Sequence, residues 1–509
     1  MLALFCAFVL LLAAGRSYIG YNETDFINFT VPEAQRALDG EPLLSLYHPP
    51  LYALIIAGMK AVFGSWLAAG LAVSLLAGVV SLLTSYALFH KLAGPMAAWG
   101  AVVALLGSVS FMGESVRAAN DTLFLALFLL AAWLAVMALT ERSAMPWFCC
   151  GLVIGLALLT RSNALPLLLL VFAPVLDADR GVNAALRNIA LVVGGIVLTS
   201  LAMAGYASIS GSNILPINNH LNLAMTYFAT GGDRSTIDAA LSVAPQFGSL
   251  SDLLLADPVR IIKIYLFDLY QLICFDLFYL VERPLFFLFF PGVFLLLGGH
   301  FSRPMILVVL LIAAEVLLVN FKPFEIRYYL FLVPLIGAAI GQVSWWLLNV
   351  SLPQTTRHVF AAAIALMALS AMTTAALQVY GDTTSKETEL AEALPKVEEV
   401  LGADAAIVAR KPHLAYYAGV EGLYLPDLAS LDQLKTYLDQ PALDIPEGFE
   451  SFVDVTTESD DLYLLYGENE LKLRPQFSEL ADPAAAPSWL EPVAVSRVPG
   501  AWTLYRYLR

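Results

Sequence analysis

Charge is scarce in this chain, and basic charge is scarcer still. Asp, Glu, Lys and Arg make up 14% of the 509 residues, with 27 Lys plus Arg against 42 Asp plus Glu. Nothing gathers those cations into a stripe able to displace phosphate counterions, so no nucleic-acid partner is expected. Cysteine is equally sparse. Cys6, Cys149, Cys150 and Cys274 lie in apolar stretches without metal-ligand spacing, which excludes a disulfide framework or thiolate metal centre and leaves them as small packing residues. What the chain has in abundance is hydrocarbon: 59% of it is hydrophobic and the mean hydropathy is +0.75. A soluble domain of this length does not carry that composition, and the chain reads as a polytopic α-helical membrane protein.

A spanning helix needs roughly 20 apolar residues. Apolar runs lie near 2–15, 66–89, 95–112, 121–139, 146–160, 164–176, 188–208, 284–299, 304–320, 327–348 and 359–379, so about 11 transmembrane helices are expected. The runs 146–160 and 164–176 are short and parted by Arg161 and Asn163, so a re-entrant pair is the alternative there. The run 2–15 has the length of a signal peptide but no basic n-region, and it is read as a retained first helix.

Connections carrying His90, Lys91, Arg142, Arg180, Arg187, Arg303, Arg357 and His358 alternate with those carrying Glu23, Asp25, Glu114, Asp121 and Glu325. The positive-inside rule assigns the first set to the cytoplasm, which puts the N-terminus inside and the C-terminal region outside a plasma (inner) membrane. In the first outer loop, 16–65, the stretches 26–40 and 50–63 read as interfacial helices lying along the outer leaflet. A second outer loop, 209–283, is aromatic-rich from Tyr265 to Tyr279 and suited to covering a lipid-facing cavity.

Two domains are expected, a membrane domain over 1–380 and an extracytoplasmic α/β domain over 381–509. The acidity belongs to the second: 23 acids and 10 bases lie from Gly381 onward, against 19 and 17 before it. Within it a helical pattern covers 387–401, strand-like runs lie at 405–409, 462–466 and 502–507, and a helix is expected over 428–438.

Acids beside hydrocarbon are costly, so Glu23 and Asp25 at the mouth of the first helix are candidate functional groups. Either carboxylate could take a proton from a hydroxyl attacking a sugar carbon. Solvated loop acids are the plain alternative. His48-Pro49-Pro50-Leu51-Tyr52 follows, offering His48 and Tyr52 as substrate-binding groups. Glu114, Arg117 and Asp121 have a spacing that one helix would place on one face, as a second acidic cluster or simply an interfacial salt bridge. Asp25, His48 and Asp121 could together hold a divalent cation, a weak signal from such scattered ligands. Lys322, Arg327 and Arg161 are cations at expected outer helix ends, and the run from Lys322 to Tyr329 is dense in groups that bind phosphate, Tyr328 included. Snorkelling or helix-end anchoring is the alternative for each cation. In the C-terminal region, Arg410-Lys411-Pro412-His413 with Tyr416 and Tyr417 could line a site but reads more simply as a strand-to-helix turn.

Glu23-Thr24-Asp25-Phe26, His48-Pro49-Pro50-Leu51-Tyr52, Glu114-Ser115-Val116-Arg117 with Asn120-Asp121, Leu159-Thr160-Arg161 and Arg327-Tyr328-Tyr329 occur in that order within about the first 340 residues. This arrangement resembles the bacterial membrane glycosyltransferases of the GT-C fold, the group that includes protein mannosyltransferases and lipid A aminoarabinose transferases. The resemblance implies a polyprenyl-phosphate sugar donor, a first-loop acid acting as base at the outer face (Asp25 first, Glu23 second), and donor phosphate held by basic residues near outer helix ends, Arg327 best matching. His48 stands where some relatives carry an acid or lysine, so metal dependence and substrate do not carry over. Two other readings compete: a transporter of a small solute or lipid, which calls for an internal repeat of broken helices, and a non-catalytic scaffold whose acidic C-terminal region binds a partner.

Overall fold

The computed structural model describes residues 25–44, 48–141, 143–212, 219–229, 239, 242–243, 246–281, 286–300, 302–321, 325–402, 404–411, 413–441, 459, 461–497 and 501–509. The first apolar run, Glu23 and Lys322 lie outside the described residues. Two compact units emerge: one takes the described residues of 33–216 and 262–381, the other those of 25–32, 217–261 and 382–509.

The first unit is a helical membrane domain. Its helices relevant to the site are α1 (Leu51–Phe63), α2 (Trp66–Ala93), α3 (Pro95–Leu106), α4 (Val109–Ser115), α5 (Asp121–Glu141), α6 (Met145–Leu158), α7 (Val182–Ser210), α8 (Arg303–Val319) and α9 (Val333–Asn349). The long helix α10 (Gln354–Glu398) leaves this unit near Gly381. Among the described residues, five helices are long and apolar enough to cross a membrane, or six if the bent pair α3 and α4 is one span. Shorter apolar helices, among them α1 and α6, accompany them.

The boundaries follow from local chemistry. Gly94, at φ 87°, ends α2 with its own N–H bonded to the His90 carbonyl, and Pro95 opens α3 where its missing N–H costs nothing. The run 95–112 was expected to be one span. Instead it breaks at Gly107-Ser108, where the Ser108 hydroxyl accepts from the Phe111 N–H, and the two halves bend by 70°. The run 164–176 is also not an α-helix: Ser162–Val171, with Pro166 inside it, is a 3-10 segment.

Helices approach closely where side chains are small, as packing in a membrane requires. A methyl group built on Gly100 or Gly337 would overlap the carbonyl oxygen of the other, and one on Gly341 would overlap that of Met96, so α3 and α9 touch backbone to backbone. Gly151 on α6 and Gly195 on α7 meet in the same way, against Val192 and Phe148.

The second unit carries a sheet of five strands in the order β2-β1-β3-β5-β4: β1 (Ala406–Ala409), β2 (Glu421–Tyr424), β3 (Leu462–Gly467), β4 (Leu490–Val495) and β5 (Trp502–Tyr507). The β1 strand pairs in parallel with β2 and β3, and β5 pairs antiparallel with β3 and β4. Alternate residues face opposite layers. Val408, Leu464 and Tyr505 pack with Leu434 and Leu438 of α12 (Leu431–Asp439), and Ile407, Tyr463 and Leu504 with Val397 of α10 and Leu414 of α11 (His413–Ala418). The sequence pattern anticipated three of the strands but passed over β2 and β4, which are short or carry few β-branched residues.

Candidate functional site

The polar centre of the membrane domain is assembled from chain breaks. The α4 helix stops at Ser115 and α5 begins at Asp121, so Glu114, Arg117 and Asp121 do not share one helical face as their spacing suggested. A turn over 116–120 joins them, pinned by the Ser74 hydroxyl donating to the Ala119 carbonyl at 3.1 Å and by the Thr122 hydroxyl donating to the Glu114 carbonyl at 3.3 Å. Glu114 pairs with Arg117 at 3.2 Å. Asp121, only 5% exposed, lies at the first residue of α5, where a carboxylate suits the positive end of the helix.

Arg161 reaches Asp121 from the break between α6 and the 3-10 segment. Its guanidinium donates to the Asp121 carboxylate and, at 2.8 Å, to Asn120 Oδ1, and it is 6% exposed. It is therefore a buried, paired cation and not a snorkelling anchor. Two residues on, Asn163 donates to Glu315 of α8 at 3.2 Å, tying the 3-10 segment to that helix. Sequence reading passed over Glu315, although a lone acid within the apolar run 304–320 is itself a signal.

Arg327 enters from a second 3-10 segment, Ile326–Leu332, which leads into α9. Its guanidinium lies 3.8 Å from the other Asp121 oxygen and also pairs with Glu325. The Tyr328 ring is shared, with Arg161 5.1 Å and Arg327 5.3 Å from its centroid. Such contacts stabilise a desolvated guanidinium by about 2 kcal/mol. Asp121 and Tyr328 together hold two fixed cations side by side.

The His48-Pro49-Pro50 motif is fastened to the same region. The Leu51 N–H donates to the Leu159 carbonyl at 2.9 Å, which docks the start of α1 on the end of α6, two residues before Arg161. Tyr52 is buried, its hydroxyl close to Ser74 and within electrostatic reach of Asp121 and Glu114. His48 is half-buried.

The structure thus brings together Tyr52, Glu114, Arg117, Asp121, Arg161, Arg327 and Tyr328, and adds Asn120, Ser74 and Glu325. Asp25 belongs to the other unit, where it is half-buried and precedes the Phe26–Thr30 turn without its side chain capping it. Of the three residues named for a divalent cation, Asp25 is thus in a different unit from His48 and Asp121. Among the described residues, no group of three or more His, Cys, Asp and Glu is placed to hold a metal ion.

Chemically, three guanidiniums (Arg117, Arg161, Arg327) face three carboxylates (Glu114, Asp121, Glu325). The Arg161–Asp121–Arg327 core alone carries a net positive charge in a buried setting. It is suited to a phosphate, whose oxygens match the fork of a guanidinium.

Comparison with known proteins follows the same line. The sequence over 47–205 matches the dolichyl-phosphate-mannose-protein mannosyltransferase family. Comparison with curated protein sequences returns no match. Among solved structures, ArnT from Cupriavidus metallidurans bound to undecaprenyl phosphate is similar at TM-score 0.52 and 14% identity, over 99% of this chain and 97% of that one. The Archaeoglobus fulgidus oligosaccharyltransferase in its apo form matches at TM-score 0.52 and 13% identity, over 92% and 70%. The same organism's AglB, in complex with an inhibitory peptide and a dolichol-phosphate, matches at 0.51 and 12%, over 92% and 69%. The chain has the GT-C fold and is a multi-pass membrane protein.

Proposed function

We propose that this protein is a membrane glycosyltransferase that moves a sugar from a polyprenyl-phosphate carrier to an acceptor hydroxyl at the outer face of the membrane. The observation that carries the reading is the pair of guanidiniums, buried Arg161 and half-buried Arg327, held on Asp121 and Tyr328. That pair is suited to a lipid phosphate, and the similar folds include structures with undecaprenyl phosphate and dolichol-phosphate.

In this reaction the acceptor oxygen attacks the anomeric carbon as the bond from that carbon to the phosphate oxygen breaks. The electron pair leaves with the polyprenyl phosphate, and the acceptor proton passes to a carboxylate. From the sequence resemblance, Asp25 is that base, with Glu23 as second choice. A single displacement opposite the phosphate inverts the anomeric centre. Charge develops on the departing phosphate, and fixed guanidiniums in a water-poor setting support it far more strongly than water-screened ones do. Tyr52 and His48 are proposed to contact the sugar, and Lys322 to assist the phosphate. The α/β domain over 381–509 is proposed to stand outside the membrane.

The test is turnover of a panel of polyprenyl-phosphate sugars by the purified full-length chain, read as released polyprenyl phosphate. Arg327→Ala should lower turnover about 10²-fold, the loss seen when one donor to a developing oxyanion is removed. An Arg327→Ala protein as active as the unaltered one would remove the reading.

A further inference from the structure

Arg327 carries two carboxylates that differ in kind. Asp121 is fixed, its side chain 4% exposed and also bonded to Arg161, whereas the Glu325 side chain is 44% exposed and stands at the open edge of the cluster. Glu325 occupies the N-cap position of the segment Ile326–Leu332, with extended backbone at φ −137° and ψ 126°. Its side chain caps no N–H of that segment and lies instead on the Arg327 guanidinium.

Charge balance singles out the same residue. On Arg161 and Arg327 lie two carboxylates, Asp121 and Glu325; with Glu325 displaced, that set of four loses one negative charge and is left with one positive. A phosphodiester carries one negative charge, so the cluster without Glu325 matches the lipid-linked donor. A carboxylate and a phosphate also present the same paired acceptor oxygens to a guanidinium fork.

We propose that Glu325 is a displaceable counter-ion that occupies the phosphate position on Arg327 when no lipid is bound, and that its return helps expel the spent carrier. This rests on the lipid-phosphate reading above. The spent carrier is a phosphomonoester with a charge of about −1.5 to −2 near neutral pH, more strongly held than the diester it came from. Without a competing anion, two guanidiniums would retain it and slow turnover. Glu325 lowers affinity by the fraction of time it occupies Arg327, as any competition for the binding-competent state does.

The test measures equilibrium binding of undecaprenyl phosphate to the full-length protein in lipid nanodiscs. Glu325→Gln, nearly isosteric and at an exposed position, should bind about tenfold more tightly, a gain that loss of structure cannot produce. In an Arg327→Ala background the same change should have no effect. With a working donor, Glu325→Gln should lower KM and kcat together and sharpen inhibition by added undecaprenyl phosphate. Equal affinity in Glu325→Gln and the unaltered protein, with Arg161→Ala and Arg327→Ala both weakened, would overturn the counter-ion role and leave the phosphate reading standing. Binding that ignores Arg161→Ala and Arg327→Ala alike would overturn both.

Discussion

Asp121 is the residue on which the site turns, because each of its two oxygens faces a different guanidinium. An arginine buried this deeply cannot shed its charge, so it needs a fixed partner, and removing one member of such a pair typically costs about 3–5 kcal/mol. Tyr328 works differently, offering its ring face to both cations. Tyr328→Phe keeps the ring and should bind undecaprenyl phosphate as the unaltered protein does. Tyr328→Ala should weaken binding about thirtyfold, the ~2 kcal/mol scale of a desolvated cation–π contact; equal affinities would show that the ring does not position the clamp. The sequence displayed Glu114, Asp121, Arg161 and Arg327 as charges in apolar surroundings, and it displayed Glu315 equally plainly. It could not display their meeting, which depends on contacts between residues 40 or more positions apart. The pairing of Arg327 with Glu325, only two residues away, was legible as a possibility but has the same spacing as many idle loop charges.

Among elements, the breaks matter more than the helices. Asp121, Arg161 and Arg327 sit at the start of α5, before the 3-10 segment Ser162–Val171 and within Ile326–Leu332, each where regular α-helix is interrupted. Polar side chains and backbone groups at a break satisfy one another, which allows irregular chain inside a membrane protein. Hydropathy located the apolar runs because burial in lipid depends on composition alone. It missed the 70° bend at Gly107-Ser108 because an average over a window does not weigh single residues, although a Gly-Ser pair is a recognised kink site. Periodicity also misread Glu114, Arg117 and Asp121 as one face, since it assumes the helix continues. The segment Ile326–Leu332 is held by α9, which in turn lies backbone to backbone on α3 at Gly100 and Gly337. Gly337→Leu should force these helices apart and lower stability by about 1–3 kcal/mol, measured as thermal unfolding in detergent. An unchanged melting temperature would mean that the contact is looser than described.

For the molecule as a whole, composition already separates two environments, an apolar region of nearly balanced charge and an acidic C-terminal region with a sheet of its own. In the sheet unit, the Arg497 backbone N–H and then Lys396 hold the Glu392 carboxyl below the usual carboxylate range. The folded form is thus favoured at pH above the ordinary carboxylate value, and the gain disappears as pH falls through the lowered one. The protection factor of the Arg497 amide, its exchange rate referred to the intrinsic rate at each pH, should fall on acidification in the unaltered protein, and Glu392→Gln should remove that pH dependence; an identical profile in both would exclude the linkage.

The central claim, that Arg161 and Arg327 on Asp121 and Tyr328 form the seat of a lipid phosphate, is tested most directly by an experimental structure of the full-length protein with undecaprenyl phosphate. The account predicts phosphate oxygens within hydrogen-bonding distance of both guanidiniums, with the Glu325 carboxylate moved off Arg327. A well-defined lipid phosphate bound elsewhere, with the Arg327–Glu325 pair intact, would contradict it.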